Sequence, residues 1–276
     1  KMKPHAPFFL AVGFVRPHVP LIAPESCYEP YPDEEMELPP GIVSDNLPDQ
    51  ALRRKNEKIW GMSKTQQRQV ISGYMASVRF MDRQVGRLLD ALDRLDMRDE
   101  TIVIFISDHG YNLGEHKCWS KVSLWEGSVR IPMIVSAPKY GSNYGTSCES
   151  VVELIDLYPT LTELCGFSDE VPEILQGTSL VPMIKNSNTI KQEANAYTVS
   201  YGGNAGTIRT ARYRYIRWDG TIKPGNEELY DHKNDPQEHR NLANSAENKD
   251  VLKRMRKIYD QRREKAQSSR PQQESK

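Results

Sequence analysis

The chain has no net charge, because 37 lysines and arginines balance 37 aspartates and glutamates among its 276 residues. It therefore has no overall field that would attract nucleic acid or another polyanion, although a local basic pocket is compatible with this balance. It also has no run of 18 apolar residues, so the sequence predicts no membrane-spanning helix. The length is sufficient for one large domain or two smaller ones with a buried core.

Cysteine is scarce, and its four copies lie far apart at Cys27, Cys118, Cys148 and Cys165. No CxxC pair is present, which argues against a zinc knuckle or a thioredoxin-like site. The spacing leaves disulfide pairing undetermined. We interpret Cys118 as an incidental thiol and not as a nucleophile, because no basic partner marks it.

The N-terminal sequence KMKPHAPFFLAVGF has the basic start and apolar stretch of a signal peptide, but it lacks a small-residue cleavage site. We therefore predict a β-strand at Pro7–Phe14. Pro17 and Pro20 then restrict the backbone around His18. A restricted backbone would aim this imidazole with little loss of entropy on binding, but the residues alone favour an ordinary loop histidine.

The strongest functional signal is the stretch from Thr101 to Lys121, TIVIFISDHGYNLGEHKCWSK. The β-branched and aromatic residues of Ile102–Ile106, without polar alternation, predict a central strand that is covered on both faces. Asp108 begins where this strand should stop, and ligands of open α/β sheets collect beyond the carboxyl ends of strands. Asp-His-Gly alone is also typical of a turn, but the charged and imidazole side chains that follow favour a functional site.

The residue types of this motif suit a divalent metal. Asp108 offers hard carboxylate oxygens that suit Ca²⁺ or Mg²⁺. His109 offers nitrogen, which favours Zn²⁺, so metal binding is better predicted than the identity of the metal. His109 could instead hold Asp108 in place or cap the turn, but its neighbours favour a role in the site.

Hydrophobic periodicity predicts the remaining elements. Apolar residues at spacings of three and four predict a long amphipathic helix at Ser63–Asp96, placed to cross over onto a parallel sheet. Beyond Asn186, short strands separated by Gly, Asn, Lys and Pro predict a small antiparallel sheet. The other predicted elements are a strand at Ile131–Ser136, a helix at Val151–Cys165 closed by Gly166, strands at Ala196–Tyr201, Thr207–Trp218 and Glu228–Tyr230, a helix at Asn248–Gln267, and a disordered tail from Ser268.

The sequence DHGYNLGEHKCWSK at Asp108–Lys121 resembles the second signature region of the type I sulfatases, in the alkaline phosphatase superfamily, and particularly the iduronate-2-sulfatase-like branch. No single motif is decisive, but the joint order of several is highly specific. The other stretches similar to this family, in family order, are PFFLAVGFVRPHVPL, YMASVRFMDRQVGRLLDAL, IDLYPTLTELCG, LQGTSLVPMI and ELYDHKNDPQEHRNLA.

The resemblance implies an α/β fold with a partly parallel central sheet flanked by helices, N-terminally incomplete, and a small C-terminal antiparallel sheet with a helix. We accordingly predict the remainder of the catalytic domain at residues 1–190, a C-terminal subdomain at residues 191–267 and a disordered tail at residues 268–276.

The resemblance also implies the roles of individual residues. His18, Lys121 and His109 match catalytic positions of the family, and Lys121 would contact the sulfate group as a point charge. Asp108 and His109 match metal ligands, with Ca²⁺ as the expected ion and Mg²⁺ or Zn²⁺ left open.

Neighbouring residues are expected to support this site. Glu115 and His116 would orient the metal ligands through hydrogen bonds. Arg16 would bind a substrate carboxylate, although an exposed arginine is an equally good interpretation. The expected substrate is a sulfated carbohydrate of glycosaminoglycan degradation, with a 2-O-sulfated uronic acid favoured. Val122 stands where iduronate-2-sulfatases usually carry an aromatic residue, so the exact sugar does not transfer.

One part of the family's site is missing from the sequence. Type I sulfatases use a formylglycine made from Cys or Ser in a C/S-x-P-x-R motif, and neither this motif nor the family's paired N-terminal aspartates occurs here. We therefore expect the C-terminal part of a sulfatase, inactive alone, with an upstream sulfatase segment as a partner. The alternatives are a phosphodiesterase or phosphonate hydrolase of the same superfamily, and a non-catalytic metal- or glycan-binding remnant. The family implies a periplasmic, extracellular or lysosomal location.

Overall fold

A computed structural model describes residues 6–41, 46–52, 61–140, 144–168, 172–191, 193–200, 202–219, 222–223 and 225–268 of the chain. The chain divides into two compact units, one of Lys1–Leu38 and Gly61–Arg98 and the other of Pro39–Trp60 and Asp99–Lys276. None of the helices in the described ranges is long and apolar enough to cross a membrane. In chain order, the helices and strands are α1 (Asp49–Leu52), α2 (Lys64–Arg94), β1 (Val103–Ile106), α3 (Glu126–Val129), β2 (Met133–Ser136), α4 (Leu157–Leu164), α5 (Val181–Lys185), β3 (Asn195–Val199), β4 (Gly206–Thr210), β5 (Tyr213–Arg217), β6 (Glu227–Asp231) and α6 (Lys249–Ser268).

Helix α2 belongs to the first unit and confirms the long helix that the periodicity predicts. Ser63 caps its N-terminus, because the Ser63 hydroxyl accepts the backbone N–H of Gln66 at 3.2 Å. The Gln66 side chain in turn accepts the backbone N–H of Ser63 at 2.8 Å, which completes a capping box. Gly73 lies on the buried face of the helix, where an added Cβ would be 3.3 Å from the Cβ of Leu21. The absence of a side chain therefore allows the preceding loop to approach the helix closely.

The strand predicted at Pro7–Phe14 is wrong, because this segment is irregular in the structure. Its side chains are largely solvent-exposed, with Phe9 at 86% and Leu10 at 67%. A strand forms only where a neighbouring strand satisfies its backbone hydrogen bonds, and the described part of the first unit contains no strand. The apolar pattern alone could not supply that partner.

Strands β1 and β2 of the second unit form a two-stranded antiparallel sheet, in which Ile106 pairs with Met133. Both strands were predicted, although β2 is shorter than the predicted Ile131–Ser136. Two expectations about β1 need correction for the described residues: its partner is antiparallel and not parallel, and its faces are not fully covered. Ile106 is 42% exposed, and Ile134 on β2 is 61% exposed. A local apolar pattern does not encode which elements pack against a strand.

Strands β3 to β6 form an antiparallel sheet in sequence order, which confirms the predicted C-terminal sheet. One boundary is wrong, because the predicted strand Thr207–Trp218 is a hairpin of β4 and β5 with Ala211 and Arg212 at its tip. The Thr210 hydroxyl closes this turn by accepting the backbone N–H of Tyr213 at 3.0 Å. The turn contains neither glycine nor proline, so the sequence carried no strong signal for it.

Alternate side chains of the four-stranded sheet point in opposite directions, and those on both faces pack into a core. Helix α6, which confirms the helix predicted at Asn248–Gln267, covers one face. The core on this side contains Ile208, Tyr213, Tyr215, Leu229, Leu252, Met255 and Tyr259. The core on the other side contains Ala51, Cys118, Leu124, Trp125, Ala205, Ile216, Trp218 and Tyr230. Cys118 therefore packs as a core side chain, in agreement with its interpretation as an incidental thiol.

A fully buried carboxylate, Glu228, lies within the second of these cores. It accepts hydrogen bonds from the indole N–H groups of Trp125 and Trp218 and from the hydroxyl of Tyr230. Burial raises the pKa of Glu228 above its usual range, and these three hydrogen bonds act in the opposite direction.

Helix α4 confirms only part of the helix predicted at Val151–Cys165. It begins at Leu157, after a 3₁₀ turn at Leu154–Asp156. Its predicted C-terminal glycine is confirmed, since Gly166 has φ +81° and donates its N–H to the Glu163 carbonyl oxygen at 3.1 Å.

The domain boundary after residue 190 stays a prediction. Ser268, predicted as the start of the tail, is the last residue of α6, and residues 269–276 lie outside the described residues.

Candidate functional site

The Asp-His-Gly motif directly follows β1, as predicted. Ser107 closes the turn by donating its hydroxyl to the carbonyl oxygen of His109 at 2.9 Å. Oδ1 of Asp108 accepts the backbone N–H of His109 at 3.0 Å. The Asp108 side chain is 86% exposed, so its carboxylate is open to an additional ligand.

The imidazole of His109 is oriented by the next residue. Its Nδ1 is 2.8 Å from the carbonyl oxygen of Gly110. Because a carbonyl oxygen only accepts, Nδ1 carries the proton, and the lone pair of the neutral ring lies on Nε2. Nε2 is 3.7 Å from Oδ2 of Asp108. Metal–ligand bonds of about 2.0–2.6 Å allow both atoms to reach one ion, so this oxygen and nitrogen fit a divalent cation.

Gly110 brings helix α3 into contact with the motif. Its N–H donates to the Ser128 carbonyl oxygen at 2.8 Å. A Cβ at position 110 would lie 2.2 Å from the carbonyl oxygen of Gly127, so only glycine fits without a shift of the backbone. The helix therefore determines where the residue next to His109 lies.

Asn112 closes the loop between the motif and Lys121, and the sequence interpretation missed this role. The side chain is fully buried. The backbone N–H and the Nδ2 of Asn112 both donate to the Ser120 carbonyl oxygen at 3.0 Å, and Nδ2 also donates to the Ser128 hydroxyl at 2.7 Å. These bonds fix the main chain directly before Lys121, whose side chain is half-buried. The only sequence signal for Asn112 was its place inside the motif.

Glu115 and His116 were predicted to orient the metal ligands. In the structure they shape the loop between the Asp108–His109 pair and Lys121. Glu115 accepts the backbone N–H of Leu113 at 2.5 Å. His116 is only 4% exposed and stacks on Trp125, with ring centroids 4.3 Å apart and an interplanar angle of 17°. These contacts anchor the loop in the core, and a direct role toward the metal ligands stays a prediction.

His18 and Arg16 belong to the first unit, whereas Asp108, His109 and Lys121 belong to the second. The exposed His18 ring has Nδ1 2.8 Å from the carbonyl oxygen of Val19, which leaves the lone pair of the neutral ring on Nε2.

Arg16 braces the loop that carries His18. Its Nε donates to the Ile22 carbonyl oxygen at 3.0 Å and its Nη1 to the His18 carbonyl oxygen at 3.1 Å. The cis peptide bonds Arg16–Pro17 and Val19–Pro20 flank the histidine. Binding of a substrate carboxylate by Arg16 stays a prediction, and in the structure its guanidinium contacts the loop backbone.

A second group of ionisable side chains joins α3 to the C-terminal sheet. Ligand atoms of Glu126, His232 and Glu238 lie within 4.8 Å of one another, which is a spacing that could hold a metal. However, Arg214 donates hydrogen bonds to both carboxylates, so each of them already has a cationic partner. We interpret the group as an ion-pair network beside a cavity of about 600 Å³. Glu126 and Arg214 are distant from His232 and Glu238 in the sequence or lie on other elements, and no sequence pattern indicated the group.

Comparison with known protein families shows what the whole chain is similar to. The sequence model of the Sulfatase family matches residues 1–167, and the model described as N-sulphoglucosamine sulphohydrolase, C-terminal, matches residues 114–265. The chain is 33% identical to a sulfatase of Formosa agariphila over 260 residues, which cover 91% of the chain and 49% of the relative. It is 36% identical to the iduronate 2-sulfatase of Homo sapiens over 205 residues, which cover 60% and 37%. The chain spans about half the length of the curated relatives it matches.

Solved structures share the fold. A structure in complex with its substrate D-glucosamine-2-N,6-O-disulfate matches with a TM-score of 0.68 and 27% identity, over 81% of the chain and 47% of that structure. A Bacteroides thetaiotaomicron protein of glycosaminoglycan metabolism matches with a TM-score of 0.72 and 27% identity, over 92% and 53%. The phosphonate monoester hydrolase of Agrobacterium radiobacter, with a TM-score of 0.73 over 94% and 57% but 21% identity, shows the fold alone. These likenesses confirm the predicted α/β fold, and the match to the family model over more than half of the residues shows that the chain belongs to the sulfatase family.

Proposed function

We propose that the chain carries the metal- and sulfate-binding half of a sulfuric ester hydrolase that acts on a sulfated carbohydrate. The observation that carries this proposal is the pairing of Asp108 with His109. A well-exposed carboxylate oxygen lies 3.7 Å from an imidazole nitrogen whose other nitrogen is held by a carbonyl group. This arrangement directly follows β1, in a chain of the sulfatase family.

Asp108 and His109 would hold the divalent cation, which we propose to be Ca²⁺, with Mg²⁺ or Zn²⁺ as alternatives. A cation at this place supplies positive charge to the oxygens of a sulfate group. The hydrogen bond from Nδ1 of His109 to Gly110 fixes the tautomer, so that Nε2 faces Asp108.

Lys121 and His18 would act on the sulfate ester itself. The Lys121 ammonium is a compact charge on a flexible stem, and it can follow an oxyanion whose charge changes during the reaction. His18 presents Nε2, which donates a proton to the leaving oxygen when the ring is charged and accepts one when it is neutral. We propose that these two residues bind the sulfate and serve the leaving group.

The nucleophile is proposed to come from another segment. The sequence contains no C/S-x-P-x-R motif, and its cysteines lie in other contexts. The net reaction adds water across the sulfur–oxygen bond of the ester and releases an alcohol, sulfate and a proton. We therefore propose that the 276-residue chain alone binds substrate and metal but does not complete turnover. The coding sequence upstream of Lys1, read for paired aspartates and for the motif, is the direct check.

The favoured substrate is a 2-O-sulfated uronic acid. The similarity to human iduronate 2-sulfatase, at 36% identity over 205 residues, supports this choice. A choline-sulfatase of Rhizobium meliloti at 31% identity and an N-acetylglucosamine-6-O-sulfatase of Bacteroides thetaiotaomicron at 31% show how widely substrates differ at such similarity. Substrate choice therefore requires an assay with several sulfated sugars.

The metal site is tested by calorimetric titration of the purified chain with Ca²⁺, Mg²⁺ and Zn²⁺. We expect one site that is lost in the Asp108→Asn variant, because the amide oxygen is a weaker ligand than the carboxylate. Asp99→Asn is the matched control, since Asp99 is an exposed carboxylate in the 3₁₀ turn before β1. Equal binding by wild type and Asp108→Asn would refute the assignment.

The reaction is tested by measuring sulfate release from 2-O-, 6-O- and N-sulfated disaccharides, with phosphate monoesters and diesters in parallel. We expect no turnover by the chain alone and sulfate release once the upstream segment is supplied. Robust sulfate release by the chain alone would refute the proposed need for that segment. Preferential cleavage of phosphate diesters, or glycan binding without turnover even with the segment, would refute the sulfatase assignment in favour of the phosphodiesterase or the non-catalytic alternative.

A further inference from the structure

We infer that Arg214, on the C-terminal sheet, positions the Asp108–His109 site through helix α3, an inference that rests on the metal-binding role proposed above. Arg214 is 1% exposed although it is charged. Its guanidinium donates to the carboxylates of both Glu126 and Glu238. Because Glu126 is the first residue of α3, one side chain ties β5 to this helix and to the loop after β6.

Glu238 strengthens the same connection from the other side. It is 1% exposed, and its Oε2 accepts the backbone N–H of Glu126 at 2.8 Å while its Oε1 accepts Nε2 of His232 at 2.8 Å. Burial alone would raise the pKa of Glu238, but the charge of Arg214 and the hydrogen bonds from His232 and the Glu126 amide lower it overall. The carboxylate therefore stays ionised and holds the N-terminus of α3 in place.

Helix α3 contacts the Asp-His-Gly motif directly, at Gly110. The helix residue Ser128 accepts the Gly110 N–H at 2.8 Å, and the Gly127 carbonyl oxygen fills the space where a Cβ at position 110 would lie. The carbonyl oxygen of Gly110 in turn accepts the Nδ1–H of His109 at 2.8 Å. A displacement of α3 would move the carbonyl group that sets the tautomer and direction of the His109 ring.

Arginine is specifically required for this role. The planar guanidinium contacts two carboxylates through different nitrogens and adds a bond from Nη1 to the Thr207 hydroxyl at 3.1 Å. A lysine keeps the charge but offers a single nitrogen, so it cannot reproduce this fork. Arg214→Lys should therefore fold, yet hold α3 less precisely.

The matched control is Arg217→Lys. Arg217 lies on the same strand and is 3% exposed, but it points to the opposite face, where it donates to Asp260 of α6 and to the Tyr215 hydroxyl. Both substitutions remove a buried guanidinium fork from β5. Only Arg214→Lys should change the geometry of the Asp108–His109 site.

Two measurements on the full chain test the inference. The first is the affinity for the metal by calorimetry, which should fall about tenfold in Arg214→Lys, a typical effect of losing a group that supports a metal ligand, and should not change in Arg217→Lys. The second is the ¹⁵N spectrum of the histidine rings without metal, in which the His109 signal is identified by its loss in His109→Gln. In Arg214→Lys the His109 ring should no longer show the Nδ1–H tautomer alone, whereas in Arg217→Lys it should still show only this tautomer.

An unchanged His109 signature in Arg214→Lys, or the same change in Arg217→Lys, would overturn the inference. If the wild-type chain binds no metal, the proposed function fails, while the metal-free spectrum still decides the role of Arg214. If Arg214→Lys does not fold, Glu126→Gln replaces it, because the amide keeps the shape and weakens the ion pair with Arg214. Its His109 signature should change in the same direction, and an unchanged one would count against the inference.

Discussion

Replacement of Gly110 with alanine should destabilise the second unit. The new methyl group would lie 2.2 Å from the Gly127 carbonyl oxygen and 3.1 Å from the Arg130 carbonyl oxygen. Both neighbours are backbone atoms, so no side-chain rotation relieves the overlap. Overpacking of this kind costs about 1–3 kcal/mol, and loss of the hydrogen bond from Gly110 to Ser128 adds about 1 kcal/mol. We therefore expect a loss of about 2–4 kcal/mol in the free energy of unfolding.

This loss is measurable as a lower melting temperature by circular dichroism. A loss of about 3 kcal/mol should lower the Tm by about 6–12 °C, since 1 kcal/mol corresponds to about 2–4 °C for domains of about 150–250 residues. Gly86→Ala in α2 is the control, because among the described residues no atom beyond the adjacent backbone of the helix lies within 4 Å of the added Cβ, and alanine is the better helix former. Gly86→Ala should keep or raise its Tm. A Gly110→Ala variant that melts within about 2 °C of the wild type would refute the packing argument.

Three further outcomes are expected. Burial raises the pKa of Glu228 above its ordinary 4.5. The free energy of unfolding should therefore decrease as the pH rises above 4.5, because the buried side chain must then lose its proton. The Tm of Glu228→Gln minus that of the wild type should therefore increase from pH 4 to pH 7, and a difference independent of pH would contradict this. The hydrogen bond from Arg212 lowers the pKa of Asp231 from 3.8 to about 2, so its stabilisation is complete above pH 3.8 and is lost as the pH falls toward 2. Asp231→Asn should accordingly have a lower Tm at pH 6 and approach the wild type near pH 2. Ser63→Ala should cost about 1 kcal/mol by removing the cap of α2, whereas the exposed Thr65→Ala should not, as chemical denaturation of both variants will test.

Features that depend on nearby residues were predictable from the sequence. The 3.6-residue period of α2 and its Ser63 cap are both local, and the helix agrees with the prediction within two residues at each end. The Asp108–His109 pair was found for the same reason, since consecutive residues at the end of a strand stay together in any fold that keeps the strand. The Gly166 cap of α4 is local as well.

Features that depend on distant partners were not predictable. Pro7–Phe14 has the composition of a strand, but the described part of its unit offers no strand for it to pair with. Glu126, Arg214 and Glu238 are each ordinary charged residues in sequence, and only the fold joins them in one ion-pair network, in which Arg214 and Glu238 are buried. The extent of burial of β1 also depends on elements elsewhere in the chain. In each case the deciding contact joins residues whose separation leaves no periodic pattern.

The two faces of the C-terminal sheet differ in how they would tolerate exchange between related proteins. Both faces carry an apolar and aromatic core and one buried arginine fork. The Arg217 fork toward α6 joins residues of the C-terminal segment alone, whereas the Arg214 fork on the opposite face includes Glu126 of α3. Apolar cores accept many combinations of similar volume, but an ionic fork needs all of its members together. A chimera that takes its C-terminal sheet from another sulfatase should therefore also take residues 124–130 from the same parent. A crossover placed between residues 130 and 190 would separate Glu126 from Arg214 and Glu238, while one placed before residue 124 would keep the three residues from one parent.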